Sequence, residues 1–321
     1  MKRAALIDAN FLAYRAKFAT GQLSYGNYRT GIIYSFFNQV FTIAKIVKPD
    51  EFIFFWDSKK SKRREIYSTY KEKRREPKTE IEEQEWKAAF RQFNKLRKTL
   101  LPECGFVNSF MQSGYEADDL IAKYVQTHGD AQDLIIVTSD DDLLQLLDKC
   151  SIYNLGKEKY VRCDDFISEY GILPSQWGYV KQLAGCTSDN VDGVPGVGTK
   201  TAIKYVRKEL KEDSKAYKSI MSCEEVIERN KELVLLPFEG TELVDFQESK
   251  FDMLNFLRMC RKYGMASFRK DDKKEEIKSL FLKGENDGKR KTEERRSKGR
   301  NKRKESSKGS QESKRKGFGV R

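Results

Sequence analysis

Histidine is nearly missing from these 321 residues: His128 stands alone. One imidazole serves Ser-His or Cys-His catalysis poorly and makes a zinc finger a poor reading. His128 closes a helical pattern before Gly129 and is assigned no role. The six cysteines, Cys104, Cys150, Cys163, Cys186, Cys223 and Cys260, form no C-x-x-C pair. Such scatter suits reduced thiols in a cytoplasm. No apolar run approaches the roughly 20 residues of a membrane span. Only four apolar residues separate Lys2-Arg3 from Asp8, too few for a signal peptide. Internal repeats are absent as well.

Charge is abundant and unevenly placed. The formal net charge is +13. From Lys283 to Arg321 there are 16 Lys and Arg against 6 Asp and Glu, leaving the rest of the chain close to balance. This tail has Phe318 as its one aromatic residue and cannot bury enough apolar surface to fold alone, so disorder is expected. The basic excess favours an anionic partner.

Three apolar stretches run into aspartates: Ala4–Ile7 into Asp8, Phe52–Trp56 into Asp57, and Leu134–Val137 into Thr138-Ser139-Asp140. Short runs of this kind read as buried parallel strands. Helical patterns follow at Asn10–Ala19, Gly31–Val47, Ile81–Leu101, from Glu116, and at Asp141–Leu147, giving an α/β alternation and a parallel sheet. A hairpin is expected over Ser151–Arg162. Ligands in open α/β sheets bind beyond the carboxyl ends of the strands, so the three aspartates should meet at one edge. Glu116-Ala117-Asp118-Asp119 adds more acid, with Glu116 and Asp119 at helical i,i+3 spacing. Acids in a first helical turn also complement the helix dipole, and Asp140-Asp141-Asp142 could serve as a cap. Four separate clusters are harder to explain that way, and a divalent cation is the usual means of holding carboxylates together near neutral pH.

Two further segments point to nucleic acid. Between Lys59 and Lys78, ten Lys and Arg outnumber three Glu, with Tyr67 and Tyr70 interleaved. Basic residues neutralise phosphates and aromatics stack on bases, although a solvated helix face has the same composition. After Asp164 the pattern becomes helical, and Gly193-Val194-Pro195-Gly196-Val197-Gly198-Thr199-Lys200-Thr201 leads into another helix. Thr199 stands where a P-loop needs Lys and no apolar strand precedes, which excludes an NTPase loop. A turn between two helices that offers backbone N–H groups to a phosphate fits better, beside the alternative of an ordinary helix–helix turn.

In order, these segments resemble the 5′-nuclease family of flap endonucleases, phage 5′-3′ exonucleases and the 5′-nuclease domain of bacterial DNA polymerase I, over most of residues 1–268. The resemblance rests on Asp8-Ala9-Asn10 with Tyr14-Arg15-Ala16, on Phe55-Trp56-Asp57 with Arg63–Tyr67 and Tyr70-Lys71, and on Glu116–Asp119. It continues through Thr138–Leu146, Tyr170–Ile172, Leu183–Gly185 and Ser188–Asn190, and on from Gly193 to Ala202. One departure stands out. The family's G-D-x-S-D-N reads Gly185-Cys186-Thr187-Ser188-Asp189-Asn190, so Cys186 stands where an acid normally helps hold a second metal. Asp192 is an extra acid expected to compensate in part.

The resemblance implies an α/β fold. A PIN-like parallel sheet flanked by helices with a helical arch would occupy residues 1–164. A helix–three-turn–helix DNA-binding domain would follow over 165–282, then the disordered basic tail over 283–321. It implies metal-dependent 5′-3′ exonuclease and flap endonuclease activity on DNA or RNA–DNA hybrids in replication or repair. Mg²⁺ or Mn²⁺ would be held by Asp8, Asp57, Glu116 and Asp118, with Asp119, Asp140, Asp142, Asp189 and Asp192 shaping a second metal region. Lys71, Arg74, Arg63 and Arg64 would contact the scissile phosphate, and Tyr70 would stack on a base. Gly193, Val194, Gly196, Gly198, Thr199, Lys200 and Thr201 would grip duplex backbone, with K⁺ at that turn. A monomer in a bacterial or phage-infected cytoplasm, with a replication protein as partner of the tail, completes the expectation. A DNA-binding member with weakened catalysis and a PIN-class ribonuclease remain as alternatives.

Overall fold

The computed structural model describes residues 1–72 and 79–281. They fall into two units, residues 1–269 and a second unit from Lys270 onward. In the first, β1 (Arg3–Asp8) runs into α1 (Ala9–Thr20), and a small hairpin of β2 (Ser24–Tyr25) and β3 (Tyr28–Arg29) leads to α2 (Gly31–Val47) and β4 (Glu51–Phe55). Next come α3 (Lys62–Ile66) and α4 (Glu80–Lys95), which continues through a π-helical turn into α5 (Leu101–Glu103). β5 (Ser109–Phe110), α6 (Ala117–His128), β6 (Asp133–Thr138), β7 (Ser151–Asn154) and β8 (Lys159–Val161) follow. The remainder is α7 (Cys163–Tyr170), α8 (Trp177–Ala184), the paired β9 (Gly185–Cys186) and β10 (Val191–Asp192), α9 (Thr199–Val206), α10 (Lys215–Ser222), α11 (Glu224–Val234) and α12 (Met253–Lys262). The second unit holds α13 (Asp271–Phe281).

The main sheet has the order β5-β4-β1-β6-β7-β8, parallel except for β8. Strand and helix alternate because apolar runs and 3.6-residue periods alternate. On one face, Leu120, Ile121, Tyr124 and Val125 of α6 cover Ala4, Leu6, Ile53, Phe55, Leu134 and Ile136. The intervening residues point the other way: Phe54 lies 6.0 Å from Phe36 of α2, which stacks on Trp56 at 5.9 Å. Fully burying a Phe side chain contributes roughly 1.5–3 kcal/mol, so α2, with ten buried residues, is fixed by its packing.

The expected elements are found with small shifts. The strand expected over 52–56 spans 51–55, and the helix expected over 141–147 is a 3-10 helix over 141–146, with Asp140 accepting from the Asp142 N–H at 2.9 Å. The segment from 235 to 252, expected within a helical region, carries neither helix nor strand. It runs back to the main sheet: Asn108 donates to the Gln247 carbonyl at 2.6 Å and the Ser249 N–H donates to Glu51 at 3.2 Å.

Candidate active site

Because β4, β1 and β6 are parallel and in register, their carboxyl ends deliver Asp8, Asp57 and Asp140 to one edge. Asp8 caps α1, accepting from the Phe11 N–H at 2.9 Å. Asp57 is oriented by Asn10 Nδ2 at 2.9 Å and by the Ala117 N–H at 3.0 Å. That second bond brings the start of α6 to the same edge. Burial, then the charge of Asp57, push the Asp8 carboxyl up to about 8. Burial and the charges of Asp140 and Asp8 raise Asp118, and burial with Asp142 raises Asp140. These groups are close enough to suppress one another's ionisation. One oxygen of Asp118, Oδ1, is buried without a hydrogen-bond partner. An orphaned carboxylate oxygen amid mutually repelling acids fits a hard divalent cation.

Glu116 sits at the N-terminus of α6 in different company. Lys71 Nζ donates to its Oε2 at 2.8 Å, Tyr70 donates at 3.1 Å, and Arg63 lies 3.7 Å away. Burial would raise this carboxyl, but Lys71 and Arg63 outweigh it and hold Glu116 down at about 2. Lys71 also lies 3.6 Å from Asp189. Its ammonium thus leans over the acidic edge.

Three expected roles need correction. Asp119, expected near a metal, is fully buried, and Arg63 donates to both of its oxygens at 2.7 Å. Asp119 further accepts from the N–H groups of Phe238 at 2.9 Å and Glu116 at 3.0 Å, which leaves it no spare lone pair directed at the cluster. Arg63, expected at the phosphate, is therefore a buried structural cation, also donating to the Leu233 carbonyl at 2.8 Å. Tyr70, expected to stack on a base, is 2% exposed and spends its hydroxyl on Glu116 and Asp189. Arg64 is exposed, and its guanidinium donates to the carbonyls of Tyr70 and Lys71 at 2.9 and 3.1 Å. Arg74 and the tail lie outside the described residues.

A second group joins Asp142, Cys186 and Asp189, with one ligand atom of each within 4.8 Å of the others. Lys181 of α8 pairs with Asp142 Oδ1 at 2.6 Å. The Cys186 thiol lies 3.1 Å from the Ser188 hydroxyl and donates to Asp142 Oδ2 at 4.0 Å. Burial and the charges of Asp142 and Asp189 push that thiol up. Asp192, expected to compensate for Cys186, stands outside this group. Its side chain is exposed, and β-pairing sets it opposite Gly185.

The glycine-rich turn joins α8 to α9. Val194 and Val197 are buried and anchor it, while Gly196, Gly198, Thr199 and Lys200 are exposed. Gly196 has φ +78, a conformation glycine adopts freely. A Cβ at Gly185 would meet the Gly193 nitrogen at 2.4 Å, so the two ends of the turn touch backbone to backbone. Asn230 of α11, fully buried, donates to the carbonyls of Gln182 and Asp192, both at 2.9 Å.

A family model described as the 5′-3′ exonuclease N-terminal resolvase-like domain matches residues 3–171. The chain belongs to this 5′-3′ exonuclease family. It is 32% identical over 213 residues to a 5′-3′ exonuclease of Bacillus subtilis, covering 63% of this chain and 69% of that one. It is equally identical over 211 residues to a DNA polymerase I of Mycobacterium leprae, of whose length the match spans 22%. The fold is that of T5 5′-exonuclease, solved with divalent zinc ions bound (TM-score 0.63, 24% identity, 74% of this chain and 90% of that one). It is also that of flap endonuclease-1 from Methanococcus jannaschii (TM-score 0.53, 17% identity, 88% and 92%).

Within this exonuclease, Asn10 takes a role beyond its place in the Asp8-Ala9-Asn10 motif, and Lys181 and Asn230 lie outside the motifs of the sequence. Asn10 directly follows Asp8-Ala9, and that adjacency was the available signal for it. Lys181 and Asn230 offer none, because each acts on residues distant in sequence. Among the described residues no helix is long and apolar enough to cross a membrane.

Proposed function

We propose that this exonuclease hydrolyses DNA phosphodiester bonds near 5′ ends, on 5′-flaps and on RNA–DNA hybrids, in a metal-dependent reaction leaving a 5′-phosphate. The observation that carries this reading is the convergence of Asp8, Asp57, Asp118 and Asp140 at one sheet edge beneath the Lys71 ammonium, which is bonded to Glu116. A divalent cation bound there, Mg²⁺ or Mn²⁺, supplies Lewis acidity and a nucleophilic water near neutral pH. Asp8, Asp57, Asp118 and Asp140, with Glu116, would hold it. Asn10 and the Ala117 N–H keep Asp57 turned toward the cluster. Lys71 supplies a fixed positive charge for the phosphate that enters, where it is worth more than in water because the acids around it are largely desolvated. Arg63 and Asp119 hold the start of α6, and so Glu116 and Asp118, in place.

The exposed residues Gly196, Gly198, Thr199 and Lys200 would accept duplex backbone through their N–H groups and the Lys200 charge, at a distance from the cut. A K⁺ ion at this turn belongs to the same proposal. So do a helical arch within the first 164 residues, a helix–three-turn–helix domain from 165 to 282, a tail that raises DNA affinity or meets a replication protein, and a monomeric protein acting in cytoplasm.

The test uses labelled 5′-flap DNA, single-stranded DNA and RNA–DNA hybrid, each with Mg²⁺, Mn²⁺ or EDTA, and D140N as control. Cleavage from the 5′ side that needs a divalent ion and fails in D140N is expected. Binding without cutting under every metal condition would overturn catalysis, and preference for single-stranded RNA would overturn the DNA assignment.

A further inference from the structure

The Asp142–Cys186–Asp189 group does not offer the donor set of the strand-end cluster. There, every side-chain ligand atom is a carboxylate oxygen. Here, two carboxylates flank a sulfur, and the three ligand atoms already lie within 4.8 Å of one another. Sulfur donors select soft and borderline ions such as Zn²⁺, Co²⁺ and Cd²⁺, whereas carboxylate and water suit Mg²⁺ and Mn²⁺. Cys186 is 8% exposed and is held in β9 by pairing with Val191. Its thiol is not swinging free: Ser188 lies 3.1 Å from it and Asp142 Oδ2 4.0 Å. Among the described residues the Lys181 ammonium lies 2.6 Å from Asp142 and the Lys71 ammonium 3.6 Å from Asp189. Lys71 is shared with Glu116, to which it donates at 2.8 Å, so Lys181 is the closer counter-charge of this group. Any ion seated here displaces the Lys181 contact, and a hard ion gains the two carboxylates in return. A thiophilic ion gains a metal–sulfur bond besides.

We infer that Cys186 makes the second metal position of this chain selective for a thiophilic divalent cation, Zn²⁺, Co²⁺ or Cd²⁺, over Mg²⁺ and Mn²⁺. The site thereby differs from the oxygen-only position formed by Asp8, Asp57, Asp118 and Asp140. The inference rests on reading the acidic edge as a nuclease centre with two metal positions. On binding, the Cys186 S–H bond breaks, the sulfur keeps the electron pair and bonds the ion, and the proton passes to solvent. Serine in place of Cys186 keeps the size and loses the soft donor. Aspartate restores a hard one.

The experiment titrates the full-length, metal-stripped protein with Co²⁺ alone and follows the near-ultraviolet sulfur-to-cobalt charge-transfer band. Five other cysteines are present, so the wild type is compared with C186S and C186D, each checked for native circular dichroism and melting. A band that saturates in wild type and is lost in both variants is expected. Equilibrium competition between Cd²⁺ and Mn²⁺ should move by at least about tenfold toward Mn²⁺ in C186D, since even altered surroundings of a ligand change metal affinity 10–100-fold. A band of unchanged strength in C186S, or tight Co²⁺ binding in wild type without a band, overturns the proposal. Should a variant fold poorly, Cd²⁺ protection of Cys186 from alkylation, read by mass spectrometry on wild type, decides the same point: unprotected Cys186 at saturating Cd²⁺ overturns it. Neither readout uses cleavage, so a protein that shows the band but cuts no DNA refutes the nuclease reading and leaves the metal preference standing.

Discussion

Arg63 and Asp119 meet through two parallel hydrogen bonds of 2.7 Å, with side chains 3% and 0% exposed. The pair joins three parts of the chain: α3 through Arg63, α6 through Asp119, and the 233–238 segment through the Leu233 carbonyl and the Phe238 N–H. Removing one partner leaves the other charge buried and alone. R63M should cost about 3–5 kcal/mol in urea unfolding, the usual range for breaking a buried pair. R63K should recover part of that loss, because an ammonium cannot make the two-pronged contact. A loss under 1 kcal/mol in R63M would mean that the pair is not holding these elements.

Lys71 should be felt in turnover rather than in substrate binding. K71A is expected to lower kcat by roughly 10²–10³, the cost of deleting one preorganised charge, with little change in KM. Steady-state kinetics on a short 5′-flap decide this. Equal losses in kcat and stability would assign Lys71 a purely structural part.

The Asp8 shift fixes a pH dependence. Its folded-state carboxyl, at about 8, binds a proton more tightly than in the unfolded chain, where 3.8 is ordinary. Between those values the folded state holds more protons, so metal-free stability falls as pH rises from about 4 to 8. A divalent ion removes that loss. The rise in melting temperature on adding Mn²⁺ should therefore be larger at pH 8 than at pH 5, and equal rises at both would contradict the cluster.

Glu116 has the opposite sign. Held at about 2 against an ordinary 4.5, it adds stability that is fully present above pH 4.5 and is lost as pH falls toward 2. E116Q should flatten the acid limb of the urea midpoint between pH 5 and 3. An unchanged slope would place the acid sensitivity elsewhere.

Lys200 is exposed at the start of α9. K200A should weaken duplex binding uniformly across sequences and reduce the slope of log affinity against log salt by about 1. Binding titrations at several salt concentrations test it, and an unchanged slope would remove Lys200 from the interface.

Much of the architecture was legible because its causes are local. Gly31–Val47 reads as a long apolar helix and is a helix end to end. Three apolar runs ending in aspartate became three adjacent parallel strands because buried parallel strands need only apolar continuity. What stayed hidden depends on partners far along the chain. Nothing about Tyr70 in sequence distinguishes an aromatic that stacks on a base from one buried between Glu116 and Asp189, 46 and 119 residues away. Asp119 and Glu116 have the spacing of two ligands, but Arg63 and the Phe238 N–H claim Asp119, and that contact comes from a stretch with no periodicity to read.

Residues 69–71 and 189–190 are bolted together. Asn190 donates to the Thr69 carbonyl at 3.0 Å, and the Lys71 N–H donates to the Asp189 carbonyl at 2.8 Å, with Lys71 itself at φ +55. The backbone that carries Lys71 is thus an extension of the backbone that leads into the glycine turn. The two behave like the fixed jaw and the stop of one gauge. Lengthening the 187–192 loop by a single residue would shift the stop, moving the ammonium along the acidic edge without altering any side chain there.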